Sequence, residues 1–148
     1  MNREILFKAK RKSWKELPKE EWWVEGYLFD DGMPEPKHYF IGGIIVKPYE
    51  GTACDKWNVV GIDFCEIDIN TLCQYTGLTD KNDKKIWEND IVELPDEEGY
   101  FTCEWEEDAA RFVMNGDGLT VDFDNYWSYQ TEVAGNIFDN PELLEVDR

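Results

Sequence analysis

Histidine occurs once in the 148 residues, at His38, and neither serine nor cysteine stands beside it in Pro36-Lys37-His38-Tyr39-Phe40. A nucleophile and base contiguous in sequence are thereby excluded, and only the fold could bring such a pair together. The four cysteines, Cys54, Cys65, Cys73 and Cys103, are spaced by 11, 8 and 30 residues. Without a Cys-x-x-Cys arm they do not have the spacing of a zinc ribbon or knuckle, and they read as small buried residues. Glycine-rich phosphate loops of both common patterns are absent. No catalytic, metal or cofactor residue is singled out on these grounds, and no cofactor is expected. The longest apolar run, Tyr39 to Val46, has eight residues and is interrupted by Gly42-Gly43. A membrane span needs about 20. The opening Met1-Asn2-Arg3-Glu4-Ile5-Leu6-Phe7-Lys8 has no apolar signal core, so a soluble cytoplasmic protein is expected.

Positive charge is scarce as well. The net charge is −18, unevenly spread. Residues 1–20 carry seven basic residues against three acids, whereas residues 91–148 carry sixteen acids against Arg111 and Arg148. A field this negative repels nucleic acid and anionic lipid, so direct nucleic-acid binding and membrane association are not expected. It favours a basic protein partner. The plainer alternative is a solvated acidic surface that only keeps the chain soluble.

What the chain has in quantity is aromatic residues, eight Phe, seven Tyr and seven Trp. They fall with β-branched residues in short runs, which favours strands. Strands are expected over 3–10, 22–29, 39–46 and 59–67, with a loop over 47–58 that holds Pro48, Gly51 and Thr52. A helical turn over 68–73 has Asp68 or Asn70 as its cap. Further strands are expected over 90–94, 100–106, 112–114, 119–123 and 132–138, with Asn115-Gly116-Asp117-Gly118 as a turn. Asn140-Pro141-Glu142-Leu143-Leu144 reads as a terminal helical turn, with Asn140 at the cap and Pro141 at the first position. The rhythm predicts an all-β fold, an SH3-like barrel or small sandwich with an additional N-terminal β subdomain. Within one domain the expected subdomains are residues 1–88 and 89–148.

The segment Gln74 to Val92 is the most distinctive. Gln74 to Leu78 reads as a strand end stopped at Gly77, and Asn82-Asp83 lies at the centre of a polar turn. Ile86-Trp87 restarts the apolar pattern before a second turn at Asn89-Asp90. Asn and Asp tolerate the left-handed conformation that such turns need. This segment resembles the signature of the YopX family of bacteriophage and prophage proteins. The opening Arg3 to Lys12, the stretch Trp23 to Leu28 and the tail Val133 to Leu144 resemble it too. That pattern usually has glycine where this chain has Asp83 and Asn89. The resemblance implies a phage origin and a β-rich fold and brings no activity with it; the segment reads as hairpin architecture.

Asp80-x-Asn82-x-Lys84 begins like a calcium loop but has Lys85 where glycine is needed and Ile91 where the bidentate acid belongs. Asp122-x-Asp124 is too short a match. Thirty-three acids make accidental carboxylate pairs common, so none can be chosen for hydrolysis. Glu104, Glu106, Glu107 and Asp108 read as a solvated hairpin edge. Trp14, Trp22, Trp23, Trp57, Trp87, Trp105 and Trp127 are expected mainly in the core or an interface rather than as base-stacking platforms. The leading expectation is a phage accessory protein acting as a non-enzymatic protein-binding module. An acidic DNA mimic and a small acid-dependent hydrolase are the alternatives, and surplus aromatics with free strand edges allow a homo-oligomer.

Overall fold

The computed structural model describes residues 4–48, 57–95, 97–116, 118–123 and 130–145. Among the described residues there are eleven strands and four short 3-10 turns. The strands lie in antiparallel sheets, so the all-β expectation holds. Two compact units divide the chain: Leu6–Leu72, and Cys73–Arg148 together with Met1–Ile5. Contacts thus part the chain at Leu72, whereas the strand rhythm pointed to residue 88.

In the first unit, β1 (Phe7–Lys10), β2 (Trp23–Asp30), β3 (Tyr39–Pro48) and β4 (Trp57–Glu66) pair in the order β4-β3-β2-β1. Each pairs with its chain neighbour, the topology that short connections favour. The loop expected over 47–58 is shorter at both ends, because Lys47 and Pro48 pair with Asn58 and Trp57; residues 49–56 lie outside the described residues. Gly42 answers the sequence expectation of a close backbone approach, since a Cβ there would overlap the carbonyl oxygen of Asp63 on β4. Ala9, Ile41 and Ile67 form the core, with Phe7, Val24, Leu28, Tyr39 and Leu72 packed on it. The link from β1 to β2 is two 3-10 turns, Trp14–Glu16 and Lys19–Glu21, that the sequence reading left unassigned. A third, Ile69–Thr71, is capped by Asp68, whose carboxylate accepts from Asn70 N–H at 3.1 Å.

The second unit has a hairpin of β5 (Cys73–Thr79) and β6 (Lys85–Trp87). Its sheet contains β7 (Asp90–Glu93), β8 (Phe101–Glu106), β9 (Arg111–Gly116), β10 (Leu119–Asp122) and β11 (Glu132–Asn136), in the order β10-β9-β8-β7-β11. Among the described residues β10 and β11 are its edges, so the sheet is open. This agrees with the small-sandwich form of the expected fold rather than a closed SH3-like barrel. Asn115 and Gly116 belong to β9, paired with Thr120 and Leu119, which narrows the expected turn. Alternation places Phe101 and Cys103 in a core with Ile86, Val92, Leu94 and Met114, and Thr102 and Glu104 on the opposite face. Burying each large aliphatic chain here contributes about 2 kcal/mol. The terminal 3-10 turn Pro141–Leu144 has Pro141 in its first turn as expected. Asn140, the expected cap, makes no cap bond; its Oδ1 accepts instead from Asn136 N–H at 3.2 Å.

Candidate functional site

The conspicuous Gln74–Val92 segment is built as scaffold. Asp80, only 2% exposed, accepts at Oδ1 from the backbone N–H groups of Asn82 and Lys84, both at 2.9 Å. Its Oδ2 accepts from Val133 N–H at 2.9 Å. These bonds engage the oxygens that a calcium loop would offer its ion. Asp83 and Asn89 take φ of 63° and 72°, the left-handed conformation expected of residues replacing glycine. Asn89 is also riveted through its backbone, its N–H donating to Cys103 at 2.7 Å and its carbonyl accepting from Ile137 at 3.0 Å. The buried Asp90 carboxylate accepts from Trp87 N–H at 2.8 Å. Glu88 is held by Gln74 N–H at 3.2 Å, yet burial pushes its carboxyl above the ordinary value.

The first unit has two polar clusters. Lys10 is 2% exposed, its Nζ 3.9 Å from the ring centre of Trp14 and 4.4 Å from that of Trp22. Trp14 and Trp22 meet edge to face at 4.9 Å, and their indole N–H groups donate to Asp68 and the Leu17 carbonyl. Both tryptophans thus hold the chain's own ammonium within cation–π distance. The second cluster surrounds His38, whose Nδ1 is 2.7 Å from Glu66 Oε2, with Lys12 Nζ 3.6 Å from the same oxygen. The His38 bond, with help from Lys12, holds the Glu66 carboxyl below its ordinary range. They border a 270 Å³ hollow with Lys37, Asp68 and Asn70, and neither serine nor cysteine lines it. Among the described residues the fold therefore supplies His38 with a carboxylate partner and places no serine or cysteine in that hollow. Cys65 accepts from Arg11 Nη1 at 2.9 Å, whereas Cys73 and Cys103 are buried. Burial raises the Cys103 thiol well above its usual pKa. Among the described residues, no group of three or more His, Cys, Asp or Glu side chains is placed to hold a metal ion.

The second unit has a 640 Å³ cleft. Outward-facing Thr102 and Glu104 of β8 and Asn115 of β9 line it, Thr102 standing opposite Asn115 in the ladder. Glu98 and Tyr100, just before β8, contribute to it, as do Leu143 and Leu144 from the terminal turn. Leu144 is 36% exposed and Glu98 and Glu104 are both exposed. Asn115 Oδ1 accepts from the Thr120 hydroxyl at 3.3 Å. Of the acids grouped in the sequence, Glu104 enters the cleft. Glu106 pairs with Arg111 at 3.2 Å, and Glu107 and Asp108 occupy the β8–β9 turn. Arg111 also binds Asp122 at 2.6 Å; Asp124 lies outside the described residues. The sequence reading missed Glu98, Tyr100, Asn115 and the two leucines as a set. Its usable signals were the outward phase of Thr102 and Glu104 and the apolar Leu143-Leu144 pair.

Fold and site together define an all-β protein of two units, with a motif that serves as scaffold and an acidic cleft in its second unit. The chain belongs to the YopX protein family, whose sequence profile matches residues 28–145. It is similar in structure to protein EF1440 from Enterococcus faecalis, with a TM-score of 0.54 at 20% identity. That similarity covers 95% of this chain and 98% of the other and concerns the fold. No curated protein matches the chain. Among the described residues, no helix is long and apolar enough to cross a membrane.

Proposed function

We propose that this is a bacteriophage or prophage accessory protein that acts in the host cytoplasm as a non-enzymatic module, binding a basic protein through its acidic second unit. The observation that carries the reading is the acidic outer side of the β8–β9 hairpin. Glu104, Glu107 and Asp108 are exposed there, while Arg111 is engaged by Glu106 and Asp122. Unneutralised charge of one sign speeds encounter with a partner of the other and disfavours wrong partners.

Affinity capture from bacterial lysate, with the captured protein then purified and titrated by calorimetry, tests it. The expected result is a basic protein released by salt, held more weakly when Glu104, Glu106, Glu107 and Asp108 are replaced by Gln or Asn. Capture of no specific protein, with turnover of a substrate by the purified chain, would overturn it. A DNA-mimic reading adds that duplex DNA competes for the same partner, with a steep salt dependence. A hydrolase reading would rest on Glu98 and Glu104, the two carboxylates of one cleft, and predicts turnover lost in Glu104→Gln.

A further inference from the structure

We infer that the cleft of the second unit is a docking pocket for an arginine side chain of a partner protein. The inference rests on the binding reading above and gives it a place and a chemistry. Its lining is amphipathic in the manner an arginine requires. Glu98 and Glu104 supply carboxylates, Thr102 and Asn115 supply neutral polar groups, and Leu143 with Leu144 supplies an apolar wall. No cationic side chain is among these lining residues. The nearby Arg111 is committed to Glu106 and Asp122. The two cleft carboxylates therefore face the cleft without an internal counter-ion among the described residues.

A planar guanidinium takes a carboxylate through two parallel N–H bonds, and it stacks on an aromatic ring as an ammonium cannot. Tyr100, half-buried at the cleft, offers such a ring. The three-carbon stem of arginine would lie along Leu143 and Leu144, since long basic side chains cover apolar surface while their heads stay polar. At 640 Å³ the cleft falls within the range of built ligand sites, about 300–1,000 Å³, which leaves room for the backbone beside the arginine. Charge complementarity selects the occupant: a neutral or acidic segment would leave both carboxylates unpaired against a surface of the same sign.

Fluorescence anisotropy of fluorescein-labelled hexa-arginine and hexa-lysine peptides, titrated with the full chain at moderate salt, tests the pocket. Hexa-arginine is expected to bind more tightly than hexa-lysine by about threefold or more. The double variant Glu98→Gln, Glu104→Gln is expected to weaken hexa-arginine by about tenfold. Glu16→Gln with Glu20→Gln, the same charge change on exposed residues of the first unit, should change it by less than about twofold. Leu144→Ser, which leaves the charge intact, should weaken it by about threefold through the lost stem contact. Equal losses in the two Gln pairs, or equal binding of the two peptides, would overturn the pocket while leaving the basic-partner reading standing. Absence of any basic protein from the lysate capture, with hexa-arginine still bound at the cleft, would overturn that reading and leave the pocket. No binding of hexa-arginine by the unaltered chain would overturn the pocket outright.

Discussion

Asp80 and Val133 are joined by a 2.9 Å bond from the Val133 N–H to Asp80 Oδ2, across 53 residues of chain. The carboxylate that shapes the 80–84 turn thus also anchors the edge strand β11. Asp80→Ala would leave the N–H groups of Asn82, Lys84 and Val133 without this acceptor. The expected loss is about 3 kcal/mol, read from urea denaturation. A loss under about 1 kcal/mol would show that water replaces the carboxylate freely.

Asp83 is exposed at φ 63°, and its N–H bond to the Asp80 carbonyl is independent of its side chain. Glycine reaches this conformation without strain. Asp83→Gly is expected to leave stability unchanged or raise it by up to about 1 kcal/mol, while Asp83→Val lowers it by at least about 1 kcal/mol. Thermal melts of the two variants measure the difference.

Lys10 packs against the rings of Trp14 and Trp22, and its replacement separates charge from volume. Lys10→Met keeps most of the volume and is expected to cost about 1 kcal/mol. Lys10→Ala also opens a cavity and is expected to cost about 2–3 kcal/mol. Unfolding followed by tryptophan fluorescence would register both, and equal stability of the Ala variant and the parent would show that the Lys10 contacts add nothing to stability.

Glu66 and Glu88 titrate in opposite senses. Glu66 is held below its ordinary 4.5 by His38, so its contribution is present above 4.5 and fades as pH falls through the lower folded value. Carboxyl NMR should show the Glu66 midpoint rising in His38→Ala. Glu88 is raised above 4.5 by burial, so the charged form is disfavoured by folding. Its contribution is greatest below 4.5 and is lost as pH rises through the folded value. The stability of Glu88→Gln, followed from pH 4 to 7, should therefore fall less with rising pH than that of the parent chain.

Cys103 is fully buried with its thiol pKa raised, while Cys65 is partly exposed beside Arg11. Brief alkylation of the folded chain followed by mass spectrometry should label Cys65 before Cys73 or Cys103. Early labelling of Cys103 would place the second-unit core in exchange with an open form.

Elements governed by neighbours in sequence were legible before the fold was known. Phe101, Thr102, Cys103 and Glu104 alternate, and a strand with one buried face requires that pattern. Asp83 and Asn89 were readable as left-handed residues because the preference is local to each side chain. The 3-10 turns at Trp14–Glu16 and Lys19–Glu21 escaped notice. Their tryptophans gain stability by surrounding Lys10, a contact that no local pattern encodes.

By itself, then, the sequence determined the strand-rich class, the left-handed turns at Asp83 and Asn89, the family and the charge imbalance, since propensity, left-handed tolerance and net charge are properties of residues and their immediate neighbours. Tertiary structure alone decided that Asp80 is a buried anchor, that His38 meets Glu66, and that Glu98, Glu104, Asn115 and Leu144 share one cleft. Those facts depend on strand register and on loops returning across tens of residues. A shift of one residue in β8 would turn Glu104 away from the cleft and into the core.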